Sequence, residues 1–338
     1  FTEMNDAYRR LSERLDGRPP EICGDGGLGA RGQVLLVLSE GQEVESAAAG
    51  SDVEVVTTVT PFYAESGGQV GDRGRISAPD LELEVRDTVK TPTGLIVHRG
   101  HILSGRLEAG AEVDLEVDAG LRARTACNHT ATHILHRALR QVLGEHVKQA
   151  GSRVSPNRFR FDFTHFSAIE PADLERIERI VNRHIRENVP VETVEMEAEE
   201  AFQSGATALF EEKYGDRVRV VSLADFSREL CGGTHTQRTG DIGCFVIASE
   251  SSVAAGQRRI EALTGERAFE HLQADAAVLR DTARLLRESP ARLAERVEKI
   301  LADHKGLEKQ VEKLKSALAA TQAERGQEEE VRLVEGVQ

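Results

Sequence analysis

The chain has 338 residues, a formal net charge of -14, 39% hydrophobic residues and 11 histidines. This length exceeds the roughly 100–200 residues of one domain, so we expect two or three domains with hydrophobic cores rather than a disordered chain. The sequence contains neither a run of about 18 apolar residues nor a basic-then-apolar N-terminus, which predicts a soluble, cytoplasmic protein with no membrane partner. It begins at Phe1, so we expect part of a longer protein.

The negative charge argues against nucleic-acid binding, because phosphate contacts are made by Lys and Arg. The distribution of charge along the chain weakens that objection. Residues 121–265 hold 19 Lys and Arg against 20 Asp and Glu, so most of the excess negative charge lies in the flanking segments. The middle of the chain can therefore still present a basic surface.

The first 118 residues predict a linker followed by a barrel. Residues 1–30 are typical of the end of a charged helix and a Gly-rich break, GDGGLGARG at 24–32. From 31 to 118 apolar and polar residues alternate in short segments, such as LELEV at 81–85 and VDLEV at 113–117. This pattern, with its turn residues, predicts a small β-barrel.

One segment of the predicted barrel is too rich in glycine for a packed strand. ESGGQVGDRG at 65–74 indicates a tight turn or bulge where the backbone comes close to another part of the protein. A plain hairpin turn explains the same glycines equally well.

Residues 119–265 predict a mixed α/β domain. We expect a helix over about 121–146, strands around FRFDF (159–163), a helix from 171 to 187, and strands around 218–223 and 243–251. This region forms the second of the three predicted structural parts.

Residues 266–338 carry apolar residues at alternating spacings of three and four on both sides of Pro290. Such heptads predict two helices broken at the proline, either as an antiparallel hairpin or as a coiled coil that forms a homodimer. The predicted fold class is therefore α+β: a small β-barrel, a mixed α/β domain and a helical hairpin or coiled coil.

Four cysteines, Cys23, Cys127, Cys231 and Cys244, are too few for a disulfide framework in a chain of this size. Metal binding or catalysis is the functional option for them, and plain buried thiols are the alternative.

Two short motifs together predict a metal site. NHTATHILH at 128–136 places His129 and His133 one helical turn apart, a weak signal alone because such pairs arise by chance. CGGTH at 231–235 adds Cys231 and His235. One thiolate and three imidazoles suit a single tetrahedral Zn²⁺, whereas the soft thiolate argues against Mg²⁺ or Ca²⁺. The sequence separation of about 100 residues is typical of a site in a cleft rather than a zinc finger.

Polar residues near these motifs are candidates for substrate contact in a hydrolytic reaction: Thr132, Gln149, Ser152 and Arg258. A metal ion with an open position can activate water and polarise a carbonyl, and hydroxyls can orient a small substrate. Each residue also has an ordinary alternative, since Thr132 can bond to its own helix, Gln149 can cap a turn and Arg258 can be a solvated charge.

Several segments closely resemble the editing domain of the alanyl-tRNA synthetase family. These are PFYAESGGQVGDRG at 61–74, NHTATHILHRALRQVLGEHVKQAGSRV from 128, VVSLADFSRELCGGTHTQRTGDIG from 220, and ESSVAAGQRRIEALTG from 250. The likeness runs from about Phe62 to Gly265, whereas residues 20–58 and LRARTAC at 121–127 depart from the family pattern. The heptad region resembles the helical start of the family's C-terminal dimerisation module.

The resemblance implies zinc-dependent hydrolysis of serine or glycine wrongly attached to tRNA(Ala), with zinc on the four His and Cys ligands and with Thr132 and Gln149 discriminating the substrate. It implies a tRNA partner, and ATP and Mg²⁺ only for an aminoacylation domain that has no counterpart in this sequence. An enzyme that attaches alanine needs a second, hydrolytic site, because one binding pocket cannot strongly reject a smaller amino acid or one that adds only a hydroxyl. A free-standing trans-editing protein, a tRNA-binding or dimerisation module with structural zinc, and a threonyl-tRNA editing domain remain alternatives.

Overall fold

The fold comes from a computed structural model, which describes residues 5–17, 20–23, 27–206 and 216–335. Residues 24–26 of the predicted Gly-rich break lie outside this range. The helices within it are α1 (Asp6–Arg14), α2 (Ala119–Leu143), α3 (Pro171–Glu187), α4 (Ala198–Gln203), α5 (Gly265–Leu286) and α6 (Leu293–Glu335).

The strands fall into a barrel region and a second region. The first eleven are β1 (Glu21–Ile22), β2 (Gly29–Ser39), β3 (Gln42–Glu43), β4 (Ser46–Ala48), β5 (Asp52–Thr57), β6 (Val59–Thr60), β7 (Gly74–Ala78), β8 (Leu81–Lys90), β9 (Ile96–Ser104), β10 (Arg106–Glu108) and β11 (Glu112–Val117). The others are β12 (Gln149–Val154), β13 (Phe159–Thr164), β14 (Val191–Glu197), β15 (Arg217–Leu223), β16 (Ser227–Leu230), β17 (Phe245–Ala254) and β18 (Gln257–Thr264).

The predicted barrel is confirmed as a closed ring of six antiparallel strands. Their order is β2, β11, β7, β8, β9 and β5, and β5 pairs again with β2. Strand β11 shows why the sequence folds this way, since its residues alternate between exposed and buried and Val113, Leu115 and Val117 point into the barrel. Closure pairs the strand edges, which would otherwise expose unbonded backbone groups.

The Gly-rich segment forms the predicted tight turn and joins the barrel to the second region. Gly67 and Gly68 have φ of 57° and 85°, values that favour glycine. A Cβ on Gly68 would lie 2.4 Å from the carbonyl oxygen of Ser152. Val154 donates to the carbonyl of Gly68 at 2.7 Å, so the turn lies directly against β12.

The second region is the predicted mixture of helices and sheets. Strands β12, β13, β18 and β17 form one antiparallel sheet, and β14, β15 and β16 form another. The inward residues of β13, Phe159, Phe161 and Phe163, are fully buried in a core shared with α2 and α3. Helix α2 ends earlier than predicted, because Gly144 leaves the helical conformation with φ of 113°, and VKQAGSRV contributes β12, a strand not predicted from the sequence.

The chain divides into two compact units, residues 1–269 and 270–338. The break between α5 and α6 lies at Pro290 as predicted, in a short 3-10 turn. An antiparallel hairpin is not formed in the part of the chain that the structure describes, because apolar heptad residues on both helices stay exposed, including Leu272, Leu279, Leu307, Val311, Leu314 and Leu318. Packing against a second chain stays a prediction. None of the described helices is long and apolar enough to cross a membrane.

Candidate metal centre

Four side chains from two distant segments converge on one point. His129 and His133 come from consecutive turns of α2, with ring centroids 5.4 Å apart and planes only 9° from parallel. Cys231 and His235 come from the loop that follows β16. The possible ligand atoms of all four residues lie within 4.8 Å of one another, so the group could hold one metal ion.

The Nε2 atoms of the imidazoles face the thiol. Cys231 Sγ lies 3.3 Å from His129 Nε2 and 3.3 Å from His235 Nε2. The Nε2 atom of His133 is buried and has no hydrogen-bond partner among the described residues. Buried polar atoms are nearly always satisfied, so this nitrogen fits a metal ligand.

The Nδ1 atoms of the three histidines are held by other side chains. His129 Nδ1 lies 2.6 Å from Gln69 Oε1, which also accepts a bond from the backbone N–H of Thr234 at 2.9 Å and is therefore the carbonyl end of the amide. His235 Nδ1 lies 3.2 Å from Thr130 Oγ1. These contacts leave Nε2 for the metal, and such outer partners orient metal-binding histidines.

Glu229 is the third of these partners and holds two histidines at once. Its carboxylate, on a residue only 4% exposed, bonds to His133 Nδ1 and lies 2.7 Å from His136 Nδ1. A carboxylate only accepts, so both Nδ1 atoms carry the proton. His136 is thus a buried histidine that is satisfied at Nδ1, although its Nε2 has no partner among the described residues.

The electrostatics of the cluster favour a metal-binding thiolate. Burial opposes ionisation of Cys231, but the imidazoles beside it, that of His129 most strongly, hold the pKa of its thiol well below the ordinary value. Burial lowers the pKa of His235 to about 3, against the opposing effect of the thiolate, so this imidazole is neutral. A thiolate and a neutral imidazole are the forms that bind metals.

The two glycines of CGGTH differ in the space that surrounds them. A Cβ on Gly233 would lie 2.0 Å from Cε1 of His129 and 2.8 Å from Gln69 Oε1, so only glycine lets the loop pass the ligand. Gly232 has open space around its Cα. The four candidate ligands were predicted from the sequence. Gln69 and Glu229 were not, although their places in the Gly-rich segment and two residues before Cys231 were available signals.

A cavity of about 300 Å³ opens beside the four ligands. Its volume is at the small end of the range for ligand pockets, which suits a small ligand. Three of the predicted substrate-contacting residues line it: Thr132, Gln149 and Ser152.

A bulge in β12 brings two of these polar residues to the same face. Gln149 pairs with Phe163 and Ser152 pairs with Phe161, with a register shift between Gln149 and Gly151. Both phenylalanines point inward, so both polar residues do as well. Without the extra residue, positions three apart on a strand would face opposite sides.

Thr132 is 5% exposed, and its hydroxyl donates to the carbonyl of Asn128 at 2.8 Å. The back-bond considered from the sequence is therefore present. It uses the only hydroxyl proton and leaves the oxygen as an acceptor, so a group that donates a hydrogen bond suits Thr132.

Arg258 does not line the cavity, so this geometry gives no support to its predicted contact with substrate. Its guanidinium binds Glu250 in a bidentate pair at 2.5 and 2.6 Å. The carboxylate raises the pKa of Arg258 further above its ordinary value. Arg258 lies on β18 opposite Phe163, two strands away from Gln149, which explains why it does not line the cavity.

Comparison with known proteins places this geometry in a class. Residues 218–261, which include β16 and the CGGTH loop, match the family described as "Threonyl and Alanyl tRNA synthetase second additional domain". Residues 8–121, which include the barrel, match "tRNA synthetases class II (A)". The fold and the cluster of ligands thus define a domain of the aminoacyl-tRNA synthetase class.

Relatives identify the family within that class. The chain is 50% identical to an alanine–tRNA ligase of Desulfosudis oleivorans over 100% of its own length and 38% of that protein. It is 49% identical to one of Pelotomaculum thermopropionicum over 88% of the chain and 34% of that protein, and 50% identical to one of Methylococcus capsulatus over 85% and 33%. The chain belongs to the alanine–tRNA ligase family and spans about a third of the length of these relatives.

Proposed function

We propose that this chain hydrolyses the ester between serine or glycine and tRNA(Ala), as the editing part of an alanine–tRNA ligase. The convergence of four metal ligands beside a small polar cavity supports this proposal most directly. Similarity to proteins named alanine–tRNA ligase supports a tRNA partner. Attachment of alanine with ATP and Mg²⁺ would belong to a region outside these residues.

We assign the metal as one Zn²⁺ held by His129, His133, Cys231 and His235. Three imidazoles and a thiolate are ligands that zinc accepts in tetrahedral geometry, and a thiolate is unsuited to Mg²⁺. The buried, unpartnered Nε2 of His133 supports this assignment. When bound, zinc supplies a positive centre that orders the substrate and polarises its carbonyl.

The protein side chains provide the discrimination. Thr132 offers its hydroxyl oxygen to the side-chain O–H of serine, a bond that alanine cannot make. Gln149 and Ser152, brought to the same face by the β12 bulge, hold the polar groups of the aminoacyl ester. Burial of Thr132 excludes competing water, so the selective bond contributes about 0.5–1.5 kcal/mol.

A Thr132→Val variant tests this role. Valine keeps the branched shape and removes the acceptor, so kcat/KM for seryl-tRNA should fall by about 2- to 12-fold. Zinc content and hydrolysis of glycyl-tRNA should stay within twofold. Thr282→Val is the matched control, because the hydroxyl of Thr282 makes the same back-bond, to Val278 at 2.8 Å, on a different helix.

The outcomes separate the alternatives. If seryl-tRNA decays at the buffer rate with zinc bound, the chain is a tRNA-binding or dimerisation module with a structural metal. Faster hydrolysis of seryl-tRNA(Thr) than of seryl-tRNA(Ala) would indicate threonyl-tRNA editing. A free-standing editing protein would share the activity, and the length of the natural reading frame separates it from a ligase.

A further inference from the structure

Three aromatic rings lie side by side near the edge of the second region. The ring centroids of His146 and His165 are 5.2 Å apart with planes at 23°, and His146 Nε2 lies 2.9 Å from His165 Nδ1. The ring of Phe166 lies 6.4 Å from that of His146 with planes at 20°. The Phe166 side chain is 86% exposed. We call these three residues the aromatic platform. A large apolar ring that is left in solvent and aligned with its neighbours is typical of a contact surface.

Hydrogen bonds hold the two loops that carry the platform. Thr164 accepts from the N–H of Lys148 at 3.0 Å and donates to the carbonyl of His146 at 2.7 Å. The N–H of His165 donates to the carbonyl of Gly256 at 3.0 Å. These bonds fix the backbone of the two loops that carry the rings, so a ligand that stacks there needs to order less of the protein.

The platform lies next to the proposed editing cavity. Gln149 lines that cavity, and its strand partner is Phe163. The two strand segments leave the sheet at this pair. His146 lies three residues before Gln149, and Phe166 lies three residues after Phe163. At about 3.3 Å per residue the platform is roughly 10 Å beyond Gln149. This distance is within reach of the nucleotides that precede the one bearing the ester.

The chemistry of the platform suits unpaired bases. Bases of single-stranded RNA stack on aromatic and histidine rings without regard to sequence, and cations beside the rings attract the phosphates. Lys148 is exposed on the adjoining strand end.

We propose that the aromatic platform stacks the unpaired nucleotides immediately before the terminal nucleoside of the tRNA, while the ester occupies the cavity beside the metal. This inference rests on the proposed function for the position of the ester. It assigns His146, His165 and Phe166 to binding of the RNA strand, and it assigns them no part in hydrolysis.

The test compares two substrates with one variant. Phe166→Ala should lower kcat/KM for seryl-tRNA about tenfold, mainly through KM, because stacking on one aromatic ring contributes about that factor. The same variant should hydrolyse 3′-O-seryl-adenosine, which has no preceding nucleotides, at the parent rate. Phe166→Trp should restore the rate on tRNA. Phe202→Ala is the control, since Phe202 is also exposed, at 50%, on α4.

Three results would overturn the inference: unchanged hydrolysis of seryl-tRNA by Phe166→Ala, an equal loss on both substrates, or an equal loss in Phe202→Ala. If the parent chain does not hydrolyse seryl-tRNA, the proposed function fails separately. Binding of an RNA hairpin with a single-stranded 3′ end, followed by fluorescence anisotropy, then tests the platform alone. Phe166→Ala should weaken this binding about tenfold, and equal affinity would refute the stacking role.

Discussion

Replacing Glu229 with Gln removes the carboxylate that orients a proposed metal ligand without changing the size of the side chain. The carboxylate accepts from the Nδ1 atoms of both His133 and His136. A glutamine has one accepting oxygen and one donating nitrogen, so one of the two histidines would face a donor. Because Glu229 is only 4% exposed, water cannot readily replace the lost bond.

The expected effect is on metal affinity. Loss of an outer partner of a metal-binding histidine typically weakens binding 10- to 100-fold, or about 1.4–2.8 kcal/mol. A glutamine therefore leaves the imidazole of His133 a less well oriented ligand.

Competition with a chromophoric zinc chelator measures the affinity directly. Glu250→Gln is the matched control, because Glu250 is also a well-buried carboxylate but pairs with Arg258 outside the cavity. We expect Glu229→Gln to lose zinc at 10- to 100-fold lower chelator concentration and to recover its esterase rate at excess zinc. Parent-like zinc affinity in Glu229→Gln, or an equal loss in Glu250→Gln, would refute the reasoning.

Three further predictions follow from the packing. Gly233→Ala should abolish zinc binding because its Cβ would overlap the ring of His129, whereas Gly232→Ala, which has open space, should bind zinc normally by the same competition assay. Burial lowers the pKa of His98 to about 4. The neutral form is therefore favoured in the folded protein, and its stabilising effect is complete above about pH 6.5 and is lost as the pH falls toward 4. Between pH 7 and pH 5, the free energy of unfolding in urea should fall by about 2 kcal/mol more in the parent than in His98→Gln. An equal fall in the two proteins would contradict this. If two chains pair through the exposed heptad face, Leu307→Glu together with Leu314→Glu should lower the mass measured by analytical ultracentrifugation from that of a dimer toward that of a monomer. A parent chain that already has the mass of a monomer would rule pairing out.

The barrel and the position of the ligands on their elements could be predicted from the sequence because each depends on local pattern. Strand β11 alternates over its whole length, and His129 and His133 are one helical turn apart. These features follow from the periods of two and 3.6 residues, which a single segment displays by itself.

The remainder of the site depends on contacts between distant segments. Gln69 reaches His129 across 60 residues, and Glu229 reaches His133 across 96. The β12 bulge that turns Gln149 toward the cavity shows only in the register with β13. The pairing of Arg258 could not be predicted for the same reason, since an arginine two residues after Gly256 gives no sign that Glu250 is its partner.

We propose above that the four-ligand cluster makes this chain a zinc-dependent editing hydrolase. The most direct measurement is the rate of seryl-tRNA(Ala) hydrolysis by the metal-stripped chain as zinc is added back, with alanyl-tRNA(Ala) as the comparison. The rate on the seryl ester should rise linearly and level off at one zinc per chain, while the alanyl ester should remain near the buffer rate. A rate on the seryl ester that is independent of zinc, or equal rates on the two esters, would contradict the claim.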